Sequence, residues 1–130
     1  MEKQRICIVG DGLSGLTTAI ALNNSLNVEV HLISKKGLKK QDKRTTAISE
    51  SNFNFLKKNI KNLNEKCFWP SKNIELFYEC NSKNVNFLNL KEEKKNLMYV
   101  FENEKIKNIL LKEIKSNKIK ILYKNIKNLS

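Results

Sequence analysis

Residues 5–15 read RICIVGDGLSG, and the change of character halfway along this stretch decides the fold. The first half is a β-rich apolar run closed by a glycine, the pattern of a strand buried on both faces of a parallel sheet. The second half carries Gly10, Gly12 and Gly15 in the spacing G-x-G-x-x-G. Beyond it, LSGLTTAIALNNSL at 13–26 sets Leu16, Ile20 and Leu22, with small Ala19 and Ala21, at helical spacing. NVEVHLIS at 27–34 is strand-like again, with Val28, Val30 and Leu32 on one face. These pieces predict one βαβ unit of about thirty residues with a right-handed crossover.

In that setting each glycine has a mechanical task. Gly10 permits the tight turn, Gly12 lets the backbone approach a pyrophosphate, and Gly15 lets helix and strand pack closely. The anion is then held by the N–H groups of the first helical turn, at Leu13, Ser14 and Gly15, and by the positive end of the helix dipole. The dinucleotide fingerprint also expects an acid at the end of the second strand to bind a ribose hydroxyl. Here that place holds Ser34, followed by Lys35 and Lys36. A serine hydroxyl pairs with a ribose hydroxyl without charge assistance, whereas Ser34 with two lysines would suit the 2′-phosphate of NADP. The first motif alone leaves both readings open.

Further along, KKGLKKQDK at 35–43 has charge and a glycine but no periodicity, and reads as a surface loop. From Thr45 to Lys61 the apolar Ile48, Phe53, Leu56 and Ile60 recur at helical intervals and predict an amphipathic helix, with Asp42 or Thr45 as its cap. Pro70 cannot continue a helix. Strands are predicted at 74–80, 85–90 and 97–101, with a turn at NSKN, then a helix over 103–115 and a strand at 119–123. The fold class that results is α/β, a Rossmann-like βαβ unit with additional strands and helices.

The chain has 130 residues, enough for one core and too few for two ordinary domains. With 29% charged and 40% hydrophobic residues it is far from a disordered composition. The net charge of +12 is nearly all lysine, dispersed without long blocks, so it reads as solvated faces rather than a fold determinant. Cys7, Cys67 and Cys80 are odd in number and form no C-x-x-C pair, which signals neither a disulfide framework nor a zinc site and fits a reducing cytoplasm. No apolar stretch approaches the about eighteen residues of a membrane span, and the N-terminus lacks a signal-peptide run. His31, alone in a strand, reads as a strand residue rather than a ligand or base. Cys7, Phe53, Phe68 and Trp69 read as core, since no recognition pattern for nucleic acid accompanies the aromatics.

Residues 42–49, DKRTTAIS, resemble the D-x-R-x-x-A-[LI]-S stretch of the flavin-dependent aromatic hydroxylases, and R-T-T-A-I-S looks most like the branch that hydroxylates polyprenylphenols in ubiquinone biosynthesis. The resemblance implies FAD lying across the sheet, with Arg44, at the start of the helix, reaching the cofactor. A guanidinium fork matches phosphate or ribose oxygens, and Asp42 would orient it. The order of helix, sheet excursion and second helix up to YVFENEKIKNILLKEI at 99–114 is similar too, so the likeness covers nearly all the chain. Where many members carry an arginine at the start of the second helix, Glu104 and Lys105 stand here, and neither is assigned a role. The later G-D-A-type flavin motif of the family is absent, so the chain is expected to be the N-terminal part of the FAD/NAD(P)-binding domain, without a substrate domain, and inactive alone.

The expectation is thus a flavoprotein monooxygenase segment whose cofactor is FAD, bound by Gly10, Gly12, Leu13, Ser14, Gly15, Ser34 and Arg44, with NAD(P)H as reductant and no catalytic side chain of its own. The implied substrate, a polyprenylated phenol, lies in a membrane, and the lysines would then favour peripheral attachment of a cytoplasmic protein to anionic lipid at the inner membrane. Two other readings compete: an NADP-binding reductase using Ser34, Lys35 and Lys36, and a small basic module binding nucleic acid through its lysines.

Overall fold

A computed structural model describes residues 3–25, 27–35 and 41–124. The opening βαβ unit forms as its sequence predicts. Strand β1 (Gln4–Val9) is followed by helix α1 (Leu13–Asn23) and strand β2 (Val28–Ser34). The two strands are parallel and in register from Gln4↔Val28 to Val9↔Ile33. The last strand, β8 (Lys120–Tyr123), pairs parallel with the other edge of β2, giving the order β1-β2-β8. Leu16, Ala19 and Ile20 of α1 form one core with Val30 and Leu32 of β2 and with Ile106, Leu110 and Ile114 of helix α3 (Asn103–Ser116). Predicted Leu26, at the end of the first helical run, lies outside the described residues, as do Lys36 to Lys40 of the predicted loop.

β1 departs from the expected burial on both faces. Ile6 and Ile8 are half-buried, whereas Arg5, Cys7 and Val9 are exposed. Side chains alternate across a strand, and among the described residues the helices bury only one of the two resulting rows. Cys7 falls on the uncovered row and is therefore not a core residue.

A second, antiparallel sheet has the order β3-β7-β4, formed by β3 (Thr45–Ile48), β7 (Met98–Glu102) and β4 (Trp69–Ser71). The predicted helix over 45–61 is thus corrected at its start. Thr45, Thr46 and Ile48 are β-branched, which suits a pleated strand, and the ladder to β7 from Thr45↔Glu102 to Ile48↔Tyr99 outweighs the helical spacing of Ile48 with Phe53. The helix proper is α2 (Glu50–Asn59). Its cap is Ser49, whose Oγ accepts from the Asn52 N–H at 3.3 Å, and not Asp42 or Thr45. Arg44 accordingly precedes a strand rather than opening a helix.

α2 joins this sheet through aromatic rings. Phe53 stacks on Tyr99 at 3.9 Å between centroids and meets Phe68 edge-on at 5.0 Å, and Phe68 meets Phe101 at 5.2 Å. Phe53 and Phe68 are core as expected. Trp69 is not: it is 47% exposed on edge strand β4, where the Lys105 ammonium sits 5.9 Å from its ring centroid. The neighbouring Pro70 is tolerated because an edge strand leaves one side of its backbone unpaired.

β5 (Asn73–Cys80) and β6 (Lys83–Lys91) form a separate antiparallel hairpin. Its turn is Asn81–Ser82, both residues at positive φ (49° and 61°), the conformation that matches the twist of a two-residue hairpin. The register slips between Leu76 and Phe77.

Candidate functional site

At the C-terminal end of β1 the chain turns at Gly10, whose φ of +110° suits glycine alone. The Gly10 N–H donates to the Ile33 carbonyl at 2.9 Å, which ties the turn to β2. A Cβ on Gly15 would run into the Gly10 carbonyl, so this glycine is fixed by close approach of helix and turn. A Cβ on Gly12 would meet nothing within 4 Å. Gly12 caps α1 without a side-chain hydrogen bond, and the first turn holds no acid. The opening N–H groups of a helix have no intrahelical acceptor, so α1 presents them, with its dipole, toward the space above Gly12.

The stretch 42–46 reaches the same space. The Arg44 Nε donates to Asp42 Oδ1 and its Nη2 to Asp42 Oδ2, both at 2.8 Å, a two-bond fork. Asp42 Oδ2 also accepts from Asn103 Nδ2 at 3.0 Å, and Thr46 Oγ1 donates to Asn103 Oδ1 at 2.6 Å. Three backbone donors complete the joint: the Asp42 N–H gives to Glu104 Oε2 at 3.2 Å, the Arg44 N–H to Asp42 Oδ1 at 3.2 Å, and the Asn103 N–H to the Arg44 carbonyl at 3.0 Å. The hydrogen bonds from Arg44 and then from Asn103 hold the Asp42 carboxyl far below the usual carboxylate range, and the same contact raises the Arg44 guanidinium. Asp42 orients Arg44, as its sequence position suggests.

Gly12, Leu13, Arg44, Thr46, Asn103 and Lys107 line one opening of about 370 Å³, with Asp42 at its wall. Leu13 also borders a more apolar cavity of about 440 Å³, shared with Ser14, Thr17, Ile48 and Phe55. Of the residues singled out in the sequence, Gly12, Leu13 and Arg44 therefore meet at one opening. Gly10 and Gly15 shape the turn beneath it, and Ser14 faces the adjoining cavity. Ser34 stands apart. It ends β2 on the face of Val30 and Leu32, 1% exposed, and its Oγ has no hydrogen-bond partner among the described residues. His31 Nε2 lies 3.0 Å from Glu29 Oε1 within its strand.

Sequence reasoning passed over Thr46, Asn103 and Lys107. Asn103 is 6% exposed and joins Asp42 to Thr46 across two elements. The one legible signal was spacing: positions 103 and 107 share a face of a predicted helix, the start of which directly follows a strand.

The residues present fit a dinucleotide such as FAD. A bare glycine in open space, amides at a helix start and two cationic side chains suit a diphosphate. Ser34, 1% exposed on the face of Val30 and Leu32, lines neither of these openings, so the fit rests on the residues around Gly12.

No protein-family profile matches the sequence, and no curated protein matches it. Solved structures do. A 2-methyl-3-hydroxypyridine-5-carboxylic acid oxygenase aligns with a TM-score of 0.71 at 17% identity, covering 95% of this chain and 32% of that one. CtdE, solved in complex with FAD, aligns at 0.64 and 18% identity over 94% of this chain and 30% of that one. FqzB aligns at 0.68 and 14% identity over the same two shares, 94% and 30%. The chain thus spans about a third of the length of the structures it matches. At these identities the likeness establishes the fold: the mixed α/β arrangement of this chain is one that the oxygenase, CtdE and FqzB share over that part of their length.

Proposed function

We propose that this chain is the FAD-binding segment of a flavin-dependent monooxygenase that acts on an aromatic ring. The observation that carries the reading is the convergence of Gly12 and Arg44, two motifs separated in sequence, on one opening. The FAD complex among the matching folds and the oxygenase named for a hydroxypyridine acid support it. In this reading the α1 amides and Gly12 hold the diphosphate, and Arg44 lies against phosphate or ribose oxygens. Asp42 and Asn103 fix the Arg44 fork so that little side-chain freedom is lost on binding. A bound reduced flavin supplies the oxygen-transfer chemistry, and the chain contributes binding and orientation.

The finer assignment, a polyprenylated phenol of ubiquinone biosynthesis with NAD(P)H as reductant, is supported by the R-T-T-A-I-S resemblance. Peripheral attachment to anionic lipid is part of the same proposal and is supported by the net charge of +12. Among the described residues no helix is long and apolar enough to cross a membrane.

The test is retention of FAD, read as visible flavin absorbance after gel filtration. The expected result is stoichiometric flavin in the wild type and about tenfold weaker affinity in Arg44→Ala. A well-folded protein that retains no flavin and is indifferent to Arg44→Ala overturns the reading.

A further inference from the structure

We propose that Lys107, rather than Arg44, supplies the uncompensated positive charge that holds the diphosphate of the dinucleotide, an inference that rests on the FAD-binding reading above. Arg44, Lys105 and Lys107 differ in what they already hold. Arg44 spends Nε and Nη2 on Asp42 in a fork with both bonds at 2.8 Å, so the pair brings no net charge to the opening. Lys105, two residues before Lys107, is bound to Glu102 at 2.8 Å. Lys107 is half-buried, lines the opening with Gly12 and Arg44, and has no hydrogen-bond or ion-pair partner among the described residues.

Neither Glu104 nor Asp42 forms an ion pair with it: Glu104 accepts the Asp42 N–H, and Asp42 is shared by Arg44 and Asn103. A diphosphate carries negative charge on each phosphoryl group, and the end of a helix offers only about half an elementary charge. Neutralising the bridge therefore needs a full cation, and Lys107 is the one in place. Its position is set by α3. Asn103 is anchored to Asp42 and Thr46, and Lys107 follows one helical turn later on the same face. Arg44 is left as a shape-fixed hydrogen-bond donor, and Lys107 as the source of charge.

The experiment is a titration of the full chain with FAD, with ADP as the shared diphosphate fragment and with adenosine as the fragment without phosphate, at low and high salt. Lys107→Gln is expected to weaken FAD and ADP by about tenfold, to leave adenosine unchanged, and to flatten the salt dependence of ADP binding. Lys107→Arg is expected to recover most of the loss. Lys107→Met, which keeps the aliphatic stem, should match Lys107→Gln, and thermal melts should show all three folded like the wild type. Wild-type affinity and salt dependence in Lys107→Gln and Lys107→Met would overturn the inference while leaving the FAD reading intact. A wild type that binds neither FAD nor ADP would overturn both.

Discussion

The helix-covered sheet and the β5–β6 hairpin are built from similar side chains and end in opposite states. In the first, Leu16, Ile20, Leu32, Ile106, Leu110 and Ile114 are sealed between α1, β2 and α3. In the second, Phe77 is 54% and Phe87 59% exposed, and Leu76, Tyr78, Leu88 and Leu90 are also open. Hydrophobic composition is therefore not what makes a core. A second layer is, and among the described residues the hairpin has none. Two strands alone are marginal in water, so the hairpin is held by its turn and backbone ladder, and stability differs sharply between the two regions.

The largest effect is expected where the covered region is tightest. Gly15→Val drives a branched side chain against the Gly10 carbonyl and should cost more than about 4 kcal/mol, seen as loss of a cooperative thermal transition. Next, Leu110→Ala removes a fully buried side chain and should cost about 3 kcal/mol in denaturant unfolding. Phe87→Ser on the hairpin should stay within about 0.5 kcal/mol of wild type. A loss at Phe87 equal to that at Leu110 would erase the distinction between the regions.

An effect smaller than at Leu110 is expected at Ser49→Ala, about 1 kcal/mol, because Ser49 caps α2. The same loss at Thr45→Ala with none at Ser49 would move the helix start back to residue 45. The smallest effect concerns pH. The Asp42 carboxyl is depressed by Arg44 and Asn103, so the stability it contributes is fully present above the ordinary carboxylate value of about 4 and is lost progressively as pH falls from there through its lower folded value. The amide signals of Arg44 and Asn103 should be constant from neutral pH down to about pH 5 and move in acid. A transition centred at or above the ordinary value would mean that the fork to Arg44 is not formed in solution.

Much of this arrangement was legible in the sequence because it is local. The βαβ unit follows from apolar runs interrupted by Gly10, Gly12 and Gly15, and the hairpin from paired β-rich runs around Asn81 and Ser82. What sequence reasoning missed depends on partners distant in the chain. Thr45–Ile48 is a strand because β7, more than fifty residues on, pairs with it. Cys7 and Trp69 are exposed because of what does or does not cover them, which no periodicity encodes. Asn103 and Lys107 enter the site because α3 crosses beside α1, and residue type alone gave Lys107 nothing to distinguish it from the other lysines.

The most direct test of the central claim, that the glycine turn and Arg44 form one dinucleotide site, is an amide NMR titration of the isotope-labelled chain with FAD. The account predicts shifts at Gly12, Leu13, Ser14, Arg44 and Asn103, abolished by Gly12→Asp, with the hairpin residues 73–91 unmoved. Shifts confined to the hairpin, or shifts at the turn that persist in Gly12→Asp, would contradict it.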